Sequence, residues 1–347
     1  MKRLLLLVPA FPKDENTSYT VPFIQQFVLA FSNKYDVKLD IVSLYSPNGD
    51  PYQWNGIEVI PLNGPMQGNI LKKGIFILNA VRRIKEWDKT RKYDGILSFW
   101  YRETAMIGRM LSSKLQLTHY TWLLGQDVRR KNSYMRLKLP KPSEIIAIST
   151  FQNDYLYTSF GFYAHKVVPI AVAPSFFPSL NKGKRPIDVL GAGSFIPLKN
   201  NEFFLEVVLA LKKLKKDLKV VLIGNGPLES KIKQFIENNG LEQTIKLTGL
   251  LSHKETLEQM NNARIFLHTS RFEGGCTVCF ESLYSGCHLI STLPMVKNSN
   301  PNFSYLVTKE TIVAKANELL NEISAPIYRS ADTNIDDACV EFYKLFF

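Results

Sequence analysis

The chain is poor in cysteine: four in 347 residues, all in the last quarter, at positions 276, 279, 287 and 339. That usage suits reduced thiols in the cytosol and excludes a disulfide scaffold. The single Cys-x-x-Cys, Cys276 to Cys279, is separated from Cys287 and His288 by an expected helix, so the paired spacing of a structural zinc site is missing. The thioredoxin-like context of a redox pair is missing too. No apolar run approaches the ~18 residues that would cross a bilayer. The opening Met1-Lys-Arg-Leu-Leu-Leu-Leu-Val-Pro9 has only Leu4 to Val8 as an apolar core and no small-residue cleavage site. It reads as a buried strand and not as a signal peptide. The five histidines show no paired ligand spacing, and there is neither a Gly-x-Ser-x-Gly elbow nor an Asp-x-Asp for a metal-bound diphosphate. The pattern fits chemistry without a metal or a resident cofactor.

Basic charge is plentiful. The net charge is +12, which favours an anionic partner such as a nucleotide, a nucleic acid or an acidic membrane surface. With 45% hydrophobic residues, the length suggests two domains, each with a real core. Short apolar runs alternate with helical patterns. In the first half the runs are Leu4 to Val8, Leu39 to Leu44, Gly95 to Phe99, Thr118 to Leu124 and Ile145 to Ile148, with helices at Val21 to Phe31 and Ile75 to Trp87 between them. The pattern restarts at Pro186, with runs at Ile187 to Gly191, Leu218 to Gly224, Ile245 to Gly249, Ile265 to His268 and His288 to Ser291. Such alternation predicts parallel sheets covered by helices. The expected architecture is α/β: two Rossmann-like, doubly wound domains facing a cleft. Residues 1–170 form the first and 186–330 the second; prolines at 169, 174 and 178 mark 171–185 as a linker.

Glu273 and Glu281 bracket Gly274-Gly-Cys-Thr-Val-Cys-Phe280 just after the apolar run. One acid sits at a strand end and the other about two turns into the following helix. A strand's carboxyl end leading into a helix N-terminus is where α/β proteins hold anions, since amides and helix dipole both point there. Val189-Leu-Gly-Ala-Gly193-Ser-Phe-Ile196 lacks the third glycine of a dinucleotide fingerprint, and Val220 to Gly224 ends without a ribose-binding acid. Nicotinamide binding is therefore disfavoured. Lys199 follows this turn, where an ammonium can reach a phosphate or simply face solvent. Gly224-Asn-Gly226-Pro227 reads equally as a plain strand-to-helix turn or a ligand contact. Basic residues also cluster at Arg129, Arg130, Lys131, Arg136, Lys138 and Lys141 after Gly125-Gln-Asp127; they face a cleft, a membrane or solvent.

Taken in order, these segments resemble the retaining group 1 glycosyltransferases of GT-B fold. Gly193-Ser-Phe-Ile-Pro-Leu-Lys199-Asn is similar to that family's Gly-Arg-Leu-x-x-x-Lys-Gly. Leu222-Ile-Gly-Asn-Gly-Pro-Leu228 is similar to its Gly-x-Gly-Pro turn. Leu247-Thr-Gly249 and His268-Thr-Ser-Arg-Phe-Glu273 follow in the expected order, ending in Glu-x7-Glu.

The resemblance implies that Glu273 grips the donor sugar beside the amides of Gly274, Gly275 and Cys276, that Glu281 binds the ribose, and that Lys199 binds the diphosphate. Gly193, Ser194, Gly224, Gly226, Thr248, Gly249, Arg271 and Thr277 complete the implied donor side, with Glu273 and Lys199 as catalytic groups. Ser194 stands where the family has an arginine, for which Arg271 is a candidate substitute. On the acceptor side the implied residues are Thr17, Ser18, Gly125, Asp127 and Arg129. Thr17-Ser-Tyr-Thr20 replaces a Gly-Gly loop, Leu124 a histidine, and Pro169-Ile-Ala-Val172 a Pro-Asn-Gly-Val. The expected partners are a nucleotide sugar, a glycan or lipid-linked acceptor and an anionic membrane surface. The implied setting is cytoplasmic, at a membrane's inner face, with a final helix in 331–347 crossing back to the first domain. An epimerase on the same fold and a basic nucleic-acid binder are the alternatives; the interleaved aromatic-basic strand faces expected of the latter are missing.

Overall fold

The computed structural model describes residues 1–17, 20–46, 49–65, 69–137, 140–169, 171–294, 300–322, 329 and 334–347, so Ser18 and Lys138 lie outside the described residues. The chain divides into two compact units, Met1–Ile170 with Ile335–Phe347, and Ala171–Asn334.

The first unit is built on β1 (Lys2–Val8), β2 (Val37–Ser43), β3 (Tyr52–Trp54), β4 (Ile57–Pro61), β5 (Gly95–Phe99), β6 (Thr118–Trp122), β7 (Ile145–Ala147) and β8 (Lys166–Val167). Their order is β3-β4-β2-β1-β5-β6-β7-β8, parallel throughout except for the antiparallel β3–β4 pair. Its helices are α1 (Pro22–Lys34), α2 (Ile70–Arg91), α3 (Glu103–Leu115), α4 (Ser133–Leu137) and α5 (Thr150–Phe160). Leu4 to Val8 are completely buried, as a strand covered on both faces requires. Leu5 and Leu7 meet Ala80, Val81 and Ile84 of α2 and Ile107 and Leu111 of α3 on one side.

The second unit holds β9 (Ile187–Ala192), α6 (Asn201–Leu214), β10 (Val220–Ile223), α7 (Glu229–Asn238), β11 (Ile245–Gly249), α8 (His253–Asn261), β12 (Ala263–His268), α9 (Thr277–Tyr284), β13 (His288–Ser291), β14 (Phe303–Tyr305) and α10 (Lys309–Asn321). All six strands are parallel, in the order β11-β10-β9-β12-β13-β14. Successive residues of β9 bury on opposite faces. Val189 packs with Phe204 and Val208 of α6, Ile232 of α7 and Ile312 of α10, whereas Leu190 packs with Leu257 of α8 and Cys279 and Leu283 of α9. This is the doubly wound arrangement expected from the alternation.

The last helix, α11 (Ile335–Phe346), belongs to the first unit. Phe342 sets its ring against Phe27 at 5.3 Å and Trp122 at 4.8 Å, and Tyr343 stacks on Tyr35 at 4.0 Å.

Residues 171–185, expected as a linker, pack as part of the second unit. The Asn181 amide donates to Asn261 at 3.0 Å, and buried Arg185 donates to the carbonyls of Ala263 and Ser285, each at 2.8 Å. The prolines end regular structure there, but long-range hydrogen bonds hold the segment. Among the described residues, no helix is long and apolar enough to cross a membrane.

Candidate functional site

Because β9 and β12 are adjacent and parallel, the turns that follow them emerge at the same sheet end. After β9 the chain passes Gly193 and makes one 3-10 turn, Pro197–Lys199, before α6. Asn200 lies in the left-handed region, φ 53°. Asparagine tolerates that conformation, which explains its presence where the resembled motif has glycine. After β12 the chain runs through Thr269 to Cys276 and enters α9, which no side chain caps.

The two turns are tied together. The Arg271 amide donates to the Leu198 carbonyl at 2.9 Å, the Thr269 hydroxyl to the Lys199 carbonyl at 3.0 Å, and the Arg271 guanidinium to Asn200 Oδ1 at 3.0 Å. Across them Lys199 Nζ meets Glu273 Oε1 at 2.6 Å, with side chains 24% and 14% exposed. Lys199, Glu273 and Arg271, expected together from sequence, are thus brought together; Ser194 is exposed on the same turn.

Behind the pair stands a group whose role sequence reasoning missed. His268 Nε2 lies 3.5 Å from Glu273 Oε1 and 3.4 Å from Cys276 Sγ, while Nδ1 faces Ser291 Oγ at 2.9 Å. Burial opposes charge on every member, and the neighbours outweigh it. Glu273 is held down to about 2 by His268 and Lys199, His268 is raised to about 9 by Cys276 and Glu273, and Lys199 is raised by Glu273. For the Cys276 thiol, the Cys279 hydrogen bond and the His268 charge prevail over burial and lower it. The neighbours thus favour the charged forms of Glu273, Lys199 and His268 against burial.

A depressed carboxyl stabilises the fold above its unfolded value and loses that contribution as pH falls through its folded one. Glu273 moves from 4.5 to about 2, so the stability difference between wild type and Glu273→Gln is full above pH 4.5 and shrinks as pH falls towards 2. Denaturant titrations across that range check it; an offset independent of pH contradicts it.

His268, Cys276 and Cys279 are the group among the described residues that could hold a metal, with ligand atoms within 4.8 Å of one another. Cys279 Sγ is 2.6 Å from Cys276 Sγ, whereas two thiolates on one tetrahedral zinc stand about 3.8 Å apart, given bonds of ~2.3 Å. As placed, Cys279 donates its proton to the Cys276 sulfur.

Glu281 lies in α9, buried, and accepts from His253 Nε2 of α8 at 2.8 Å. A carboxylate can only accept, so that ring nitrogen carries the proton. His253→Ala removes this partner from a buried acid and is expected to cost ~1–3 kcal/mol. Chemical denaturation checks it, with recovery in His253→Gln separating a lost hydrogen bond from lost packing.

Gly224 and Gly226 have a structural reason of their own. A Cβ on Gly224 would lie 2.0 Å from the Gly193 carbonyl oxygen, and one on Gly226 2.8 Å from that of Phe195. Backbone bonds lace the turns: Phe195 N to Asn225 O at 2.7 Å, Leu228 N to Phe195 O at 3.0 Å, and Gly224 N to Gly249 O at 3.0 Å. Thr248 donates to the Gly249 carbonyl at 3.0 Å. These residues support the Gly193 turn from behind.

The implied acceptor residues sit in the first unit on turns after β1 and β6. Thr17 is bonded to Asp14 through its amide at 2.9 Å and its hydroxyl at 2.8 Å. Asp127 is buried and accepts from the amides of Gly125 and Tyr101, each at 2.9 Å; burial raises its carboxyl to about 6 against those bonds. Its side chain is thus engaged in holding the loop. Arg129 is half-buried beside it. Among the described residues, the basic stretch beyond includes the five-residue α4.

Residues 173–300 match the model of the group 1 glycosyl transferases. A phosphatidylinositol N-acetylglucosaminyltransferase subunit of Arabidopsis thaliana is 21% identical over 294 residues, covering 82% of this chain and 65% of that protein. Its Homo sapiens counterpart matches at 24% over 164 residues, 46% of this chain and 34% of its own length. The chain thus spans less than two thirds of either relative. Among solved structures, sucrose-phosphate synthase from Thermosynechococcus elongatus superposes with a TM-score of 0.72 at 12% identity, covering 100% of this chain and 98% of that one. Anabaena HepE in complex with UDP and glucose gives 0.67 at 12%, with 100% and 96% covered. The chain therefore has the two-Rossmann GT-B fold, and its residues 173–300 are similar to the group 1 glycosyl transferases.

Proposed function

We propose that the protein is a retaining, metal-independent glycosyltransferase. It transfers a hexose-type sugar from a nucleoside diphosphate sugar to a glycan or lipid-linked acceptor in polysaccharide or glycolipid biosynthesis, at the cytoplasmic face of a membrane. The observation that carries this reading is the Lys199–Glu273 pair at 2.6 Å, set where two strand-end turns meet the uncapped start of α9. UDP and glucose in the HepE complex and phosphatidylinositol in the relatives' names favour a nucleotide donor and a lipid acceptor.

As the bond between sugar and diphosphate breaks, negative charge collects on the leaving oxygen. The Lys199 ammonium and the α9 amides are fixed beforehand on the element where that charge forms, so little reorganisation is needed. Glu273 accepts from the sugar's hydroxyls and Glu281 from the ribose. The acceptor hydroxyl attacks from the leaving-group face and its proton passes to the departing phosphate oxygen, so no enzymic nucleophile is required. With Ser194 in place of arginine, Lys199 is the main cation, and Arg271, bonded to Asn200 in the same turn, is the second.

A panel of nucleotide sugars assayed with and without lipid-linked glycan acceptors tests the reading. Release of nucleoside diphosphate with a new glycosidic product of retained configuration is expected. Conversion of the sugar without any acceptor favours an epimerase and overturns it, as does no turnover of any donor.

A further inference from the structure

Helix α2 carries an apolar surface that the fold does not use. Its inner side is spent on the sheet and α3 through Ala80, Val81 and Ile84. On the opposite side Leu71 is 71% exposed, Ile75 51% and Leu78 59%. Leu71, Ile75 and Leu78 follow i, i+4, i+7 spacing and so form one stripe. Single exposed leucines are ordinary; three large aliphatic side chains on one face within about two turns make a contiguous patch, and such patches mark binding surfaces.

The same outer side becomes basic further along. Arg82 continues the stripe at i+11, with Lys85 beside it and Lys72 and Arg83 on its flank. Other cations of this helix are paired: Lys73 with Glu103 and Arg91 with Asp40 and Glu58 within the fold, and Lys89 with Glu86 of the same helix at the exposed surface. No ion pair joins Lys72, Arg82, Arg83 or Lys85 among the described residues. The helix is 22 residues long, but the run is neither apolar enough nor charge-free enough to span a bilayer. Arg83 lies over the Trp87 ring at 5.3 Å without an ion-pair partner; an apolar end followed by cations free of ion pairs on one face is the pattern of a helix lying in a membrane interface, with side chains in the acyl boundary and cations at phosphate level.

We propose that the outer face of α2 docks the first unit onto an anionic lipid bilayer, with Leu71, Ile75 and Leu78 inserted and Lys72, Arg82, Arg83 and Lys85 against the headgroups. The charge complementarity selects an anionic surface over a neutral one. This deepens the lipid-linked acceptor reading and rests on it for its purpose, while the docking stands on exposure and charge alone.

The test is flotation of the full chain with vesicles of phosphatidylcholine alone or with a third phosphatidylglycerol. Wild type is expected to float with the anionic vesicles and to stay down with the neutral ones. The pairs Leu71→Glu with Leu78→Glu, and Arg82→Glu with Arg83→Glu, alter exposed side chains only. Each is expected to lower partitioning roughly 30-fold or more, at about 1 kcal/mol per cation and similar losses per inserted side chain. Both are expected to keep the circular dichroism and donor hydrolysis of wild type in solution. Unchanged flotation of the leucine pair, equal binding to neutral vesicles, or a concentration-dependent self-association abolished by the leucine pair in place of vesicle binding would each overturn the docking. A chain that floats as expected but turns over no nucleotide sugar leaves docking intact and overturns the functional reading instead.

Discussion

Lys199→Ala lowers turnover of the nucleoside diphosphate sugar by about 10²- to 10³-fold, the cost of removing one preorganised group that meets charge formed in the transition state. The expectation rests on position. Lys199 is held at its place by a 2.6 Å contact to Glu273 and by the Thr269 and Arg271 bonds to its own turn, so its ammonium is fixed before the diphosphate departs. The loss falls mainly on kcat, because the charge it meets is larger in the transition state than in the bound donor. Glu273→Gln keeps a side chain of the same size but no longer balances Lys199 and His268. It is expected to raise KM as well, since this carboxylate is assigned to the sugar. Glu273 keeps His268 within 3.5 Å when Lys199 is removed, so the alanine variant retains one partner for the buried acid and should fold. Steady-state kinetics on both variants, with circular dichroism alongside, check this; kcat within about threefold of wild type for Lys199→Ala contradicts it.

Gly224→Ala is expected to be strongly destabilising. Its Cβ would stand 2.0 Å from the Gly193 carbonyl oxygen, and φ at Gly224 is +138°. The conformation costs a residue with a side chain ~1–3 kcal/mol, and the forced separation of two backbone turns adds ~1–3 kcal/mol. The Gly193 turn that the methyl group would push away leads into Lys199, so the variant is expected to lose stability and donor binding together. Gly249→Ala is the matched control: φ is +70° and nothing lies within 4 Å of the added Cβ, leaving only the ~1–2 kcal/mol of a left-handed backbone. Denaturant unfolding of the two variants side by side gives the comparison. Equal losses contradict the view that Gly224 is required by the close approach of the two turns.

The central strands were readable in the sequence because they are buried on both faces. Leu4 to Val8 appears as an unbroken apolar run and Ile187 to Gly191 as one interrupted only by Asp188, and their ends fall within a few residues of β1 and β9. The edge strands β3, β8 and β14, of three, two and three residues, are too short to show a period. Ile75 to Trp87 was readable as a helix, but α2 begins at Ile70 under the Asn69 cap. Its exposed leucines could not be told from core residues, because hydrophobic spacing marks a face without saying what covers it. For the site, Lys199, Arg271 and Glu273 were legible through their motifs, each fixed by a strand-end turn. His268 was within reach, since it opens the motif that ends in Glu273, but its neighbours Cys276 and Ser291 lie 8 and 23 residues away. The His253 bond to Glu281 spans 28 residues, and sequence spacing carries no trace of it. The support that Gly224 and Gly226 give the Gly193 turn depends on the pairing of β9 with β10, so a ligand and a neighbouring turn were equivalent readings of the same glycines.

Hydrogen exchange with and without a nucleoside diphosphate, UDP and GDP in turn, tests most directly that the Lys199–Glu273 turns hold the donor. Protection is expected in peptides covering 193–200 and 273–282 with one of the two, and its loss in Lys199→Ala. Binding with protection elsewhere in the chain, or no protection with either nucleotide, would contradict it.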